Sequence, residues 1–248
     1  MRSALGNVKA CVIIPAYDAG ASLASVLEEL KRELPEIPPD RFVVVDDGSR
    51  DGTVNVAREA GVRLISHAKN LGKGAALSTG LREARDLGCD VALTVDADGQ
   101  HPAASARAVL EGSTDPHVLV LGVRDLVRSG APRANRFSNG ISNFFLSRFA
   151  GRTLSDTQCG LRRYPVEETL ALGPHSTGYA FEAEVILLFC AVRAGVVEVP
   201  IEVVYPPEDE RVTHFDSVRD PVRIIGVVLR TVFATRLRSL RRFTAYNT

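Results

Sequence analysis

Val91-Ala92-Leu93-Thr94-Val95-Asp96-Ala97-Asp98-Gly99-Gln100 is a run of apolar and β-branched residues that ends abruptly in two carboxylates and a glycine. A short continuous run of this kind reads as a strand buried on both faces, followed by a turn. The same pattern recurs along the chain. Ala10–Ile14 is closed by Pro15 and followed by Tyr17-Asp18, and Phe42–Val45 ends in Asp46-Asp47-Gly48-Ser49. Val62–Ser66 and Val118–Gly122 read as further strands, the last leading into Arg124-Asp125. Between them, residues 20–34 place Leu23, Val26, Leu27 and Leu30 at helical spacing, Asp51-Gly52-Thr53 opens another helix, and residues 73–87 form a third. Apolar strands alternating with helices predict an α/β protein with a mostly parallel sheet covered on both faces. Ligands of such sheets lie beyond the carboxyl ends of the strands, where this chain gathers its polar clusters.

The second half is less regular. Residues 124–163 carry eight Arg against Asp125 and Asp156. Residues 182–194 read as a buried helix, Val196–Tyr205 as an extended strand and Pro206–Glu210 as an acidic turn. No repeat or long linker divides the chain, so residues 1–218 are expected to form a single domain. Residues 219–248 follow as a basic amphipathic helix, with Ile225, Leu229, Val232 and Phe243 on one side and Arg219, Arg223, Arg230 and Arg241 in a shared sector. That tail carries seven Arg against Asp220, so a net charge of zero conceals +6 in the tail and −6 in the body. Such a segment could lie on an anionic membrane surface or pack on the body.

With 45% hydrophobic and 24% charged residues in 248, the chain is globular rather than disordered. The longest apolar run, Val185–Val192, is far below the ~18 residues of a membrane span. Met1–Lys9 lacks the apolar core of a signal peptide, which predicts a cytoplasmic protein, peripheral on the cytoplasmic membrane face if the tail binds lipid. Cysteines 11, 89, 159 and 190 have neither zinc-site nor disulfide-framework spacing. An acidic body, no Trp and 6% aromatics argue against nucleic acid as a partner.

If the backbone stays extended past Val95, Asp96 and Asp98 point to one side. Paired hard oxygens suit Mg²⁺ or Mn²⁺, with Gln100 as a weaker ligand; an Asx-rich turn is the alternative. Asp46 could hydrogen-bond ribose hydroxyls or a base edge while Ser49 or Asp51 caps the next helix. The glycines of Asn70-Leu71-Gly72-Lys73-Gly74 permit close backbone approach, and Lys73 near a helix N-terminus could meet phosphate, although P-loop spacing is absent.

Val12-Ile13-Ile14-Pro15-Ala16-Tyr17, Val44-Val45-Asp46-Asp47-Gly48-Ser49, Asn70–Gly74 and Asp96-Ala97-Asp98-Gly99-Gln100-His101-Pro102 stand in an order and spacing that resemble family 2 glycosyltransferases of the GT-A fold. The likeness covers about residues 8–205. It is closer to the dolichyl- or polyprenyl-phosphate mannosyltransferase and glucosyltransferase branch, which Ser155–Arg162 also resembles. The resemblance implies inverting, metal-dependent transfer from a nucleotide-diphospho-sugar, GDP-mannose or a UDP-hexose, to a polyprenyl or dolichyl phosphate. It implies that Pro15, Tyr17 and Asp46 contact the nucleoside with Asp47 nearby, that Asp96, Asp98 and Gln100 bind the metal, and that Arg124 meets phosphate. Family members usually read Pro-x-Tyr-Asn-Glu where this chain has Pro15-Ala16-Tyr17-Asp18-Ala19, which leaves the donor open. Many members of the branch add C-terminal transmembrane helices. With none in this sequence, the tail or a membrane-embedded partner would bring the lipid.

A hydroxyl acceptor needs a base, whereas a phosphate monoester is already anionic and needs cations. Arg133, Arg136, Arg148, Arg152, Arg162 and Arg163 supply them, with Arg133, Arg136 and Arg162 the expected acceptor-phosphate set. Asp156 is the favoured base or supporting carboxylate, Glu182 its competitor, His101 a loop residue, and Arg211 a candidate to close over the diphosphate. The competing readings are the same fold glycosylating a hydroxyl, and a non-catalytic nucleotide-sugar or membrane-surface binding module.

Overall fold

In the computed structural model, which describes residues 6–205 and Gly226, the apolar runs become the strands β1 Ala10–Ala16, β2 Phe42–Asp46, β3 Arg63–Ser66, β4 Val91–Thr94 and β5 Leu119–Arg124. Two more follow, β6 Arg162–Pro165 and β7 Val196–Ile201. The helices are α1 Leu23–Glu33, α2 Thr53–Glu59, α3 Lys73–Asp86, α4 Ala103–Leu110, α5 Arg133–Ala150, α6 Val166–Leu172 and α7 Ala180–Ala191. The strands form one sheet of order β3-β2-β1-β4-β6-β5-β7. Pairs β1–β2, β1–β4, β2–β3 and β5–β7 are parallel, and only β6 runs against its neighbours. The expected mostly parallel α/β sheet is the one observed.

Alternation along each strand divides the core into two layers. Ile13, Val43, Val45 and Ala92 meet Leu77 and Leu81 of α3 and Phe181 and Phe189 of α7 on one face. Val12, Ile14, Val44 and Leu93 meet Leu23, Leu27 and Leu30 of α1 and Val109 and Leu110 of α4 on the other. Each buried Leu, Ile or Phe contributes roughly 1.5–3 kcal/mol, so these layers hold the strand ends that carry the polar clusters. No described helix is long and apolar enough to cross a membrane.

Strand β6 corrects one expectation. Arg162 and Arg163 are fully buried, and both Nη groups of each, with Nε of Arg162, donate to main-chain carbonyls. Arg162 serves Cys159, Thr157 and Glu182 at 2.7–2.8 Å, and Arg163 serves Leu110, Ser113 and Asp115 at 2.5–3.0 Å. Both act as internal struts, and Arg162 leaves the acceptor-phosphate set. Strand β7 is also shorter than expected, because after Ile201 the chain leaves the sheet: Glu202 N–H bonds Ser105 Oγ at 3.1 Å and Val204 N–H bonds the Gln100 carbonyl at 2.8 Å. The acidic turn, Arg211 and the basic helix expected at 219–248 lie, Gly226 apart, outside the described residues.

Gly80 sits where α3 crosses β1, and a Cβ there would come within 2.4 Å of Ile13 Cγ2. Alanine would gain helix propensity, yet overpacking a buried β-branched side chain costs more. Gly80→Ala is therefore expected to lose about 1–3 kcal/mol in urea unfolding.

Candidate active site

Two loops meet at the carboxyl ends of β1 and β2, and side chain–main chain bonds stitch them together. Asp18 N–H bonds Ser49 Oγ at 2.9 Å, Asp18 Oδ1 accepts Arg50 N–H at 2.8 Å, and Asp51 Oδ2 accepts Gly20 N–H at 2.8 Å. Asp18 has φ +49°, a left-handed conformation that Asp tolerates better than most side chains. Asp18, one of the two residues that depart from the Pro-x-Tyr-Asn-Glu pattern, thus has a scaffold task here. Half-buried Tyr17 and buried Asp46 lie at this seam, Asp46 Oδ1 accepting Ser49 N–H at 3.0 Å.

Asp47 is committed elsewhere. Its carboxylate accepts Leu71 N–H at 2.9 Å and Gly72 N–H at 2.7 Å and meets His67 Nδ1 at 2.7 Å. Both oxygens hold the loop before α3, so Asp47, expected beside the nucleoside as part of the nucleotide-sugar site, is instead the latch of the Lys73 loop. Sequence reading passed over His67, a lone histidine with no motif.

That loop delivers Lys73. Gly72, at φ +98°, lies so close to the Thr177 carbonyl that a Cβ would come within 2.5 Å, and Ala75 N–H bonds the same oxygen at 3.0 Å. The 175–178 loop is fixed in turn by Glu184, which accepts His175 and Ser176 N–H at 3.0 and 2.8 Å. The first turn of α7 then sets Glu182 beside the start of α3. Lys73 Nζ stands 2.7 Å from Asp96 Oδ1, 3.2 Å from Glu182 Oε1 and 5.9 Å from the Tyr179 ring centroid. Burial opposes the ammonium, but Asp96 and Glu182 hold its pKa well above the lysine range. Burial, the largest influence on Asp96, would raise it, but the neighbouring groups together, Lys73 foremost and Arg124 among them, bring the carboxyl below its ordinary value. Gly160 makes this contact possible: a Cβ there would sit 2.3 Å from Asp96 Oδ2 and 2.7 Å from Lys73 Nζ.

The backbone does not stay extended past Asp96. Strand β4 stops at Thr94 and residues 97–98 turn, so the two aspartates are neighbours through the turn rather than through strand alternation. Asp98 Oδ1 accepts Gln100 N–H at 3.0 Å, the Asx-turn bond. Although the residue as a whole reaches the surface, loss of hydration and then the Asp96 charge push the Asp98 carboxyl up to about 6.

At the end of β5, Arg124 forms a fork with Asp156: Nε to Oδ2 at 2.7 Å and Nη2 to Oδ1 at 3.0 Å. Asp156 also accepts Asn139 Nδ2 of α5 at 3.1 Å and Gln158 N–H at 3.2 Å. With both oxygens so occupied and the residue buried, the geometry of Asp156 fits the supporting carboxylate of the two expected roles, bonded to Arg124, rather than the base. Exposed Arg133 and half-buried Arg136 lie on the first turns of α5, the helix that supplies Asn139. His101 is buried, not a surface loop residue; its Nδ1 has no hydrogen-bond partner, and burial pushes its pKa down to about 4, so it is neutral at pH 7.

The geometry gathers Pro15, Tyr17, Asp46, Lys73, Asp96, Asp98 and Arg124 at one sheet end. No cluster of three His, Cys, Asp or Glu able to hold a metal occurs among the described residues. The pair Asp96–Asp98 still fits a hard divalent cation that takes its remaining oxygens from a substrate diphosphate. Asn139 and Gly160 escaped sequence reading because amide and glycine signal no chemistry until the fold sets them against charges.

A sequence profile of "Glycosyl transferase family 2" matches residues 11–170. The UDP-N-acetylglucosamine–dolichyl-phosphate N-acetylglucosaminyltransferase of Methanococcus voltae is 28% identical over 217 residues, covering 78% of this chain and 85% of its own. The undecaprenyl-phosphate mannosyltransferase of Micrococcus luteus is 27% identical over 205 residues, covering 78% and 83%. Among solved structures, glucosyl-3-phosphoglycerate synthase from Mycobacterium tuberculosis, in complex with Mn²⁺, UDP and phosphoglyceric acid, shares the fold with a TM-score of 0.69. That likeness holds at 19% identity over 92% of this chain and 80% of that one.

Removing Asp156 would strand the Arg124 guanidinium and Asn139. Asp156→Ala is expected to cost about 3–5 kcal/mol in chemical denaturation, the usual effect of breaking a buried ion pair from one side.

Proposed function

The chain belongs to glycosyl transferase family 2, and on that premise we propose that it moves a hexose-type sugar from a GDP- or UDP-sugar to a polyprenyl phosphate, with inversion at the anomeric carbon. The observation that carries this reading is the alternation of buried and half-buried charges Glu182, Lys73, Asp96 and, across the site, Arg124 and Asp156. It sets fixed cations at the strand ends, where a leaving diphosphate would gather negative charge.

Tyr17 and Asp46 would hold the nucleoside in the seam between the β1 and β2 loops, and Lys73 and Arg124 would face the phosphates. Asp96 and Asp98, with Gln100, would hold Mg²⁺ or Mn²⁺. The ion, when bound, supplies charge neutralisation to the leaving group. An acceptor phosphate oxygen attacks the anomeric carbon while the bond from that carbon to the diphosphate oxygen breaks, the electron pair leaving with the nucleotide. Arg133 and Arg136 would position the acceptor phosphate.

This acceptor needs no deprotonation at neutral pH. That suits a site in which Asp156 is fully bonded, Glu182 lies against Lys73, and His101 is too acidic a cation to serve as an effective base. The relatives from Methanococcus voltae and Micrococcus luteus, named for dolichyl and undecaprenyl phosphate, support a lipid phosphate, and the UDP and Mn²⁺ of the tuberculosis structure support the donor class and metal.

Radiolabelled transfer to a short-chain polyprenyl phosphate, across GDP- and UDP-sugars with Mg²⁺ or Mn²⁺, is the direct assay. Lipid-linked product is expected with at least one donor; none with any donor would reject the acceptor. Asp98→Ala should lower turnover about 10²- to 10³-fold, the range for loss of one electrostatic contact to the transition state, with unfolding temperature unchanged. Full activity in that variant would remove the metal assignment.

A further inference from the structure

The three most exposed large apolar residues described lie within one short stretch: Val127 at 71% and, on α5, Phe137 at 73% and Phe144 at 68% exposure. Phe137, Ile141, Phe144 and Arg148 stand at i, i+4, i+7 and i+11, the spacing of one helix face, while Asn139, Ser142 and Leu146 are buried on the opposite face. Phe145 extends the stripe, its ring edge-on to Phe144 at 5.5 Å. Residues 126–155 contain Arg128, Arg133, Arg136, Arg148 and Arg152 and no acid.

We infer that the outer face of α5 docks on an anionic lipid bilayer, the phenylalanines entering the headgroup–acyl boundary and the arginines meeting lipid phosphates. Exposed Phe bracketed by cations on one helix is the composition of an interfacial helix. Charge decides among occupants. A second copy would bring the same arginines face to face, and residues 219–248, at +6, would meet a face of like sign. Position agrees: Asn139 on the inner side of α5 bonds Asp156, which holds Arg124. One helix therefore touches both the bilayer and the catalytic end of the sheet, and Arg133 begins it at the side where a lipid phosphate would arrive. The inference rests on the lipid-phosphate reading for its purpose, but the apolar stripe stands apart from it.

The test is co-sedimentation of the full chain with phosphatidylglycerol/phosphatidylcholine vesicles free of polyprenyl phosphate, so that vesicle binding and acceptor choice are measured separately. The wild type should bind, less so at high salt, and Phe137→Ser/Phe144→Ser should weaken partition by at least ~10-fold. Transfer to a short-chain acceptor in solution and the unfolding temperature should stay unchanged in that variant. Since the chain has no tryptophan, Phe144→Trp places a single reporter on the stripe, which should shift to the blue on adding vesicles and be quenched by brominated lipid. Equal binding by the double variant, or no shift of the reporter, overturns the inference. So does a wild-type dimer that the double substitution dissolves while vesicles are ignored, because the stripe would then belong to a second copy.

Discussion

A buried charge has to be answered by its opposite, and this requirement governs the end of the sheet where Lys73, Asp96 and Arg124 gather. Asp96 is tolerable in a half-buried position because Lys73 stands against it, and Lys73 because Glu182 stands on its other side. Arg124 is answered by Asp156, whose spare lone pairs are taken by Asn139 and a main-chain N–H. An unpaired member of either set would cost several kcal/mol, so the elements that carry them are tied to one another. The α3 start, the α7 start and the turn after β4 form one such unit, and the β5 end, α5 and the loop before β6 form the other. A site of this kind keeps its dipoles in place before a substrate arrives, the arrangement most useful when negative charge grows on a leaving group.

Much of the architecture was legible because its signals are local. The runs at 10–14, 42–45, 62–66, 91–95 and 118–122 are mostly apolar, bounded by turn residues, and fall on five strands. What resisted was β6. Arg162-Arg163-Tyr164-Pro165 carries two guanidiniums and a proline, and its strand character comes wholly from β4 and β5 on either side. The same stretch misled the site reading. An arginine in sequence signals an anion, and nothing in the sequence tells that the partners are main-chain carbonyls of a folded interior.

The carboxylates divide in a similar way. Asp46 and Asp47 are adjacent in sequence and equivalent to the eye, but they take different paths: one stays in the seam between the β1 and β2 loops, the other turns toward His67 and the amides before α3. Adjacent residues at a strand end face opposite ways, so only one of the two can point into the seam. Asp96 and Asp98 were singled out in the sequence by a strand argument, which the turn at 97–98 replaces. Lys73 was assigned to phosphate from its place at a helix start, and its pairing with Asp96 depends on Gly160, more than eighty residues downstream.

The antiparallel strand also has a bearing on how the molecule is made. As the chain emerges from the ribosome, β1 to β4 can assemble with their helices, and β5 is complete soon after, but β4 and β5 share no ladder until Arg162–Pro165 slides between them. Until then two nascent edges stay open, each able to template pairing with a neighbouring polypeptide. The late arrival of four residues joins the two parts, β7 then adding to the far edge of β5, and any nonsense codon upstream of them would release a fragment with the facing edges of β4 and β5 bare.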